Sequence, residues 1–154
     1  HVFRRRQRQM CIRDRNHLAL EVGDIGQALA FYGEFLEFSL RSKSENAAFI
    51  DLGDQFINLT KVDAQPKDNH RHFGLVVSDK ETVRARLEEM GVEMASSRFL
   101  DFYDPWGNRI EIVGYDNIQF SKTPNVLKGM GLDSLYKNEK AIQELTDKGM
   151  APEN

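Results

Sequence analysis

The hydrophobic patterning of the chain predicts an α+β fold built from two βαβββ modules in tandem, and three observations carry that expectation. Two stretches 55 residues apart read alike: His17-Leu18-Ala19-Leu20-Glu21-Val22-Gly23-Asp24 and His72-Phe73-Gly74-Leu75-Val76-Val77-Ser78-Asp79. In each, a short apolar strand opens at a histidine, and an aspartate seven positions on is placed to cap a helix. Each copy then carries a polar residue near its far end, Asn58 at 41 positions after His17 and Glu111 at 39 after His72. A duplicated unit that sets His, Asn, His and Glu at matching points is a candidate metal site. Two of the chain's four histidines occupy these equivalent positions.

The elements follow in order. Residues 17–22 alternate as a strand should, with Leu18, Leu20 and Val22 on one face and His17, Ala19 and Glu21 on the other. Asp24 caps a helix over about 25–36, whose apolar stripe is Ile25, Ala28, Leu29, Tyr32, Phe35 and Leu36. Strands are expected at 38–41, 47–52 and 55–61, the last two joined by the tight-turn pair Gly53-Asp54. Residues 62–69, with Pro66, form the linker. The second copy repeats the order: a strand at 72–77, a capping box at Ser78-Asp79-Lys80-Glu81, and a helix burying Val83, Leu87 and Met90 up to Gly91. Strands at 92–95, 98–103 and 109–113 complete it, the last two joined by Asp104-Pro105-Trp106-Gly107-Asn108. Beyond Gly114 a polar extension, 115–154, is expected to hold one helix at about 137–148. It would pack on the domain or on a partner subunit.

Charge and composition narrow the function. A chain of 154 residues suits one domain with a real core. Residues 1–15 carry six arginines and one aspartate; without them the balance is 15 basic against 23 acidic residues, which argues against a nucleic-acid partner. No apolar run reaches the roughly 18–20 residues of a membrane span, so no membrane partner is expected. The single cysteine, Cys11, lies in that first segment and leaves the body without a thiol, compatible with a reducing cytoplasm. The segment lacks the apolar core of a secretory signal, and Met10-Cys11-Ile12-Arg13-Asp14 resembles the read-through translation of a sequencing adapter. It is read as a non-native or disordered tail; a basic arm and an organellar presequence are the alternatives.

The segments Asn16–Asp24, Ala30-Phe31-Tyr32, His72–Asp79 and Asp104-Pro-Trp-Gly-Asn-Arg-Ile-Glu-Ile112 together resemble the vicinal-oxygen-chelate superfamily of glyoxalase, bleomycin-resistance and extradiol-dioxygenase proteins. The resemblance covers about residues 16–114, as modules 16–62 and 70–114. It implies a cup of about eight strands with helices outside, and a divalent metal (Fe, Mn, Ni, Co or Zn) held by His17, His72 and Glu111. Alternation along the strand agrees, because Arg109, Glu111 and Val113 share one face while Ile110 and Ile112 share the other. Two imidazoles and a carboxylate form a facial triad that leaves positions open for substrate. Members of this superfamily often complete the cup by exchanging modules between subunits, so a homodimer is expected, with the three ligands either within one chain or split across the two.

The departures bear on the reaction. Where glyoxalase-type isomerases have a ligating glutamate this chain has Asn58, which cannot act as a general base near neutral pH. The upstream histidine and the tyrosine three residues before Asp-Pro that mark extradiol dioxygenases are absent, the latter place being Asp101. Fosfomycin-type thiol transferases resemble the Asn-His-Leu-x-Leu opening, but their threonine is Ala19 here. The expected activity is a metal-dependent lyase, isomerase or dioxygenase acting on a small substrate with adjacent oxygens. The alternatives are a drug-sequestering binder and a fosfomycin-type thiol transferase. Glu111 and Tyr103 are the candidate proton carriers. Phe56, Asn58, Thr60, Arg109 and Trp106 are candidate substrate contacts, Arg109 as an anion clamp or else a partner in a rim ion pair.

Overall fold

The computed structural model describes residues 15–119, 121–132 and 134–151. Apart from Arg15, the N-terminal segment with its cysteine lies outside them. β1 (His17–Val22), α1 (Ile25–Gly33), β2 (Ser39–Lys43), β3 (Ala47–Asp51) and β4 (Phe56–Lys61) form the first module. β5 (Phe73–Val77), α2 (Lys80–Glu89), β6 (Asp101–Tyr103) and β7 (Arg109–Gly114) form the second. Each module makes its own sheet, in the orders β1-β4-β3-β2 and β5-β7-β6. In both, the first strand lies parallel to the last, β1 on β4 and β5 on β7. The duplication read from the sequence is therefore a structural one.

Both helices begin where their aspartates sit. The Asp24 carboxylate accepts the Gln27 amide, and that of Asp79 accepts the amides of Glu81 and Thr82. These bonds satisfy donors that a helix's first turn leaves unpaired. α1 stops at Gly33, short of residue 36, where the amides of Phe35 and Leu36 both turn back to the Tyr32 carbonyl.

Seven strands form among the described residues rather than eight. The strand expected at 92–95 is reduced to a single bridge between Met94 and Phe102. That expected at 98–103 starts only at Asp101. Ser96 is the cause: its hydroxyl donates to Asp101 and accepts the Phe99 amide, folding 96–99 away from the ladder. The extension holds more than the one helix expected. A 3₁₀ turn, Tyr115–Asn117, and α3 (Pro124–Gly129) precede α4 (Glu139–Asp147). Pro124 stands at the start of α3, where its missing N–H costs nothing. No helix among the described residues is long and apolar enough to cross a membrane.

One apolar core runs through both modules, from Val22, Ile25, Ala28 and Leu59 to Leu87, Phe102, Ile110 and Ile112. α1 supplies the bridge. Phe35 packs edge-on against Phe102 of β6, ring centroids 5.5 Å apart, and Arg86 of α2 pairs with Glu34 just beyond α1.

Candidate metal and substrate site

The strand register makes Asn58 and Glu111 equivalent. In the first sheet Ala19 pairs with Asn58, two residues after His17; in the second Gly74 pairs with Glu111, two residues after His72. The side chains alternate as expected, with Leu20, Val22, Ile57, Leu59, Ile110 and Ile112 buried beneath the helices. His17, Asn58, His72 and Glu111 stand on the opposite, open faces.

Each histidine is held by its inner nitrogen. His72 Nδ1 lies 2.8 Å from the His70 carbonyl, which can only accept, so Nδ1 carries the proton and Nε2 offers its lone pair. His17 Nδ1 lies 2.9 Å from Asn16 Oδ1. Metal-ligating histidines are oriented in this way by their outer partners. His72 Nε2 stands 3.7 Å from Glu111 Oε2, close to the roughly 3–3.5 Å between two donors that share an ion at about 2.1 Å each. His72 and Glu111 thus offer two donors of the kind a divalent metal takes, one short of the three protein ligands of an open site.

His17 does not join them. Among the described residues, no three His, Cys, Asp or Glu side chains come close enough together to hold an ion. The reason is topological. Among the described residues β1 and β5 are both edge strands, each with one side unpaired, and they belong to different sheets. The modules meet instead at the end of β1. There Asn108 Nδ2 donates to the Glu21 carbonyl at 2.8 Å. The Trp106 ring lies over Gly23, where a Cβ would stand 2.6 Å from its Nε1.

The remaining predicted contacts divide between the two faces. Thr60 Oγ1 donates to Asn58 Oδ1 at 3.4 Å. Phe56, paired in register with His17, lies under the guanidinium of Arg41, 4.5 Å from ring centroid to Cζ. Arg109 is not an open anion clamp. Its Nε and Nη2 donate to Asp101 and its Nη1 to the Asn69 carbonyl, so the rim ion pair is what forms. Burial alone would raise the Asp101 carboxyl, but the Ser96 hydroxyl and the Arg109 guanidinium outweigh it and hold it below the ordinary carboxylate range. Tyr103, opposite Arg109, carries the Lys67 ammonium 4.0 Å above its ring, and Lys67 pairs with Glu93. Tyr103 and Trp106 line a cavity of about 390 Å³ beside the linker, shared with Lys67, Glu93 and Asp104. Trp106 thus packs between the modules, over Gly23.

Two segments of the resemblance prove to be bonded to each other. The Tyr32 hydroxyl donates to Asp104 Oδ2 at 2.7 Å, and Asp104 also accepts the amides of Trp106 and Asn108 and the Asn108 side chain. Burial first, then the Asp104 carboxylate, push the Tyr32 phenol well above its usual value and keep it a donor. Arg41, expected at the end of the strand 38–41, is the extra residue of a bulge between Leu40 and Ser42. A bulge breaks the strand period that would have marked it.

A model of the Glyoxalase/Bleomycin resistance protein/Dioxygenase superfamily matches residues 15–112. Among solved structures, the chain is similar to the fosfomycin resistance protein FosX from Listeria monocytogenes complexed with Mn(II) and sulfate. Identity there is 18%, covering 78% of this chain and 99% of that one, at a TM-score of 0.60. It is similar to a protein from the mobile metagenome of V. Pseudocholerae, at 25% identity, 70% and 98% coverage and a TM-score of 0.56. The virulence protein STM3117 from Salmonella typhimurium matches at 25% identity, with 69% and 99% coverage and a TM-score of 0.52. With a strand–helix opening repeated in both modules, each with its first strand parallel to its last, and with Ala19–Asn58 and Gly74–Glu111 at matching registers, the chain belongs to the Glyoxalase/Bleomycin resistance protein/Dioxygenase superfamily.

Proposed function

We propose that this protein is a metal-dependent enzyme acting on a small substrate through two adjacent oxygens, at a site shared between two copies of the chain. The observation that carries the reading is the geometry of His72 and Glu111, donor atoms 3.7 Å apart with the imidazole oriented by a backbone carbonyl. His17, oriented by Asn16 on an unpaired strand edge, supplies the third donor when β1 of one copy lies beside β5 of the other. Such an arrangement is isologous and yields two identical sites. FosX was solved with Mn(II), which favours a divalent ion here.

A divalent ion held by His72, Glu111 and His17 would supply Lewis acidity to two substrate oxygens. The chain's own residues do the rest. Asn58 presents its NH₂ to a substrate oxygen and moves no proton, so Glu111 and Tyr103 are the residues left to accept or return one. Phe56 and Thr60 wall the face of the first module. Arg109, committed to Asp101, positions the strand that carries Glu111.

A mixing experiment tests both metal and sharing. His17→Ala and His72→Ala proteins should each bind little metal. Mixed and allowed to exchange subunits, they should recover about a quarter of the wild-type sites, because half of random dimers carry one intact site. No recovery would rule out a shared site, and wild-type metal content in either variant would remove that histidine from the ligand set. Turnover is then sought with catechols, 2-oxoaldehydes with thiols, and epoxides. Chelator-insensitive ligand binding without turnover would favour the sequestering role instead.

A further inference from the structure

We propose that Arg41 is the anion-recognising residue of this site, so that its substrate carries an oxyanion (carboxylate, phosphonate or phosphate) beside the chelating oxygens. The proposal rests on the shared metal site above and narrows its substrate class.

Four observations converge on Arg41. It is the unpaired residue of the β2 bulge, a device that re-aims a side chain out of the ladder. Its guanidinium carbon lies 4.5 Å from the Phe56 ring centroid, a cation–π contact that holds the group over the ring without consuming its N–H donors. Phe56 is the register partner of His17, and Asn58 follows on the same face. Among the described residues no carboxylate pairs with Arg41, whereas Arg109, the other arginine on these faces, has its donors taken by Asp101 and Asn69. Asp51, which shares the strand row with Phe56, turns its carboxylate to the Gly53 amide at 2.7 Å. A planar fork held over the register partner of His17, with no carboxylate partner among the described residues, matches the geometry of a planar or tetrahedral oxyanion.

The test uses full-length, metal-loaded protein with inorganic phosphate as the probe, titrated calorimetrically against wild type, Arg41→Met and Arg41→Lys. Metal content is measured on each. With metal content unchanged, Arg41→Met should weaken phosphate binding about tenfold, and Arg41→Lys should recover part of it, since a point charge replaces the fork. Equal affinity in wild type and Arg41→Met, or no phosphate binding to metal-loaded wild type, would overturn the assignment and leave the metal site standing. Absence of metal from wild type would overturn the metal reading and this proposal with it.

Discussion

The Tyr32 hydroxyl bonds a carboxylate 72 positions away and so ties the first helix to the β6–β7 turn. Tyr32→Phe leaves Asp104 short of a donor in a buried place and should lower the unfolding free energy by about 1–3 kcal/mol, read by denaturant titration. Asp101 is the sharper case, being only 2% exposed. Asp101→Asn strands the Arg109 guanidinium and should cost about 3 kcal/mol at neutral pH. The pH sign follows from its lowered carboxyl: the stabilisation is present above the ordinary carboxylate value of about 4 and is lost as pH falls through the folded value. The acid limb of the wild-type stability curve should therefore be steeper than that of Asp101→Asn. Residue identity made Arg109 legible as a charged group on the face of Glu111. Its partner was not legible, because Asp101 lies one strand away and only sheet register brings the two together.

The extension shows how an element is anchored. The Lys137 ammonium donates to the Tyr115 and Ile118 carbonyls at 2.8 and 2.9 Å and lies 3.5 Å from the Tyr115 ring centroid. Its α4 buries Ala141 and Leu145, while Ile142 remains 40% exposed. α3 was missed because its six residues show too little periodicity to register, although Pro124 marks its start. At the other end, Met130 covers Gly53 and Lys122 pairs with Asp54, so the extension reaches the first module. Burial lowers Lys137 to about 8, with Asp116 pulling the other way. Between about 8 and the ordinary 10.4 the unfolded chain holds the proton and the folded one does not, so this group makes stability rise with pH across that window. Lys137→Met should flatten that slope in unfolding experiments, and in hydrogen exchange it should loosen α4 before the sheets.

At the scale of the molecule, α1 joins two sheets into one core while leaving both open faces and the β1 and β5 edges unpaired. Phe102→Ala, at the Phe31–Phe35 contact, should cost about 3–5 kcal/mol and weaken both modules in a single transition. If two copies share the metal, binding couples to association. Saturation at about a hundred times the dissociation constant should stabilise the dimer by about 2.7 kcal/mol, raising the melting temperature and shifting sedimentation toward the dimer. His17→Ala should abolish the shift. A metal-induced rise with no change in sedimentation would argue for a site within one chain.

The sequence by itself determined the modules. Period-two alternation, two aspartate caps and a repeated histidine-led strand are local signals, and each survives in the structure at the equivalence of Asn58 with Glu111. What only the tertiary structure decided is which of those residues meet. His72 and Glu111 share one sheet through the parallel pairing of β5 with β7, and His17 stays on another because α1 and Trp106 join the modules along a different side. Donor distances are set by packing between segments far apart in the chain, and spacing along the chain carries no record of that packing.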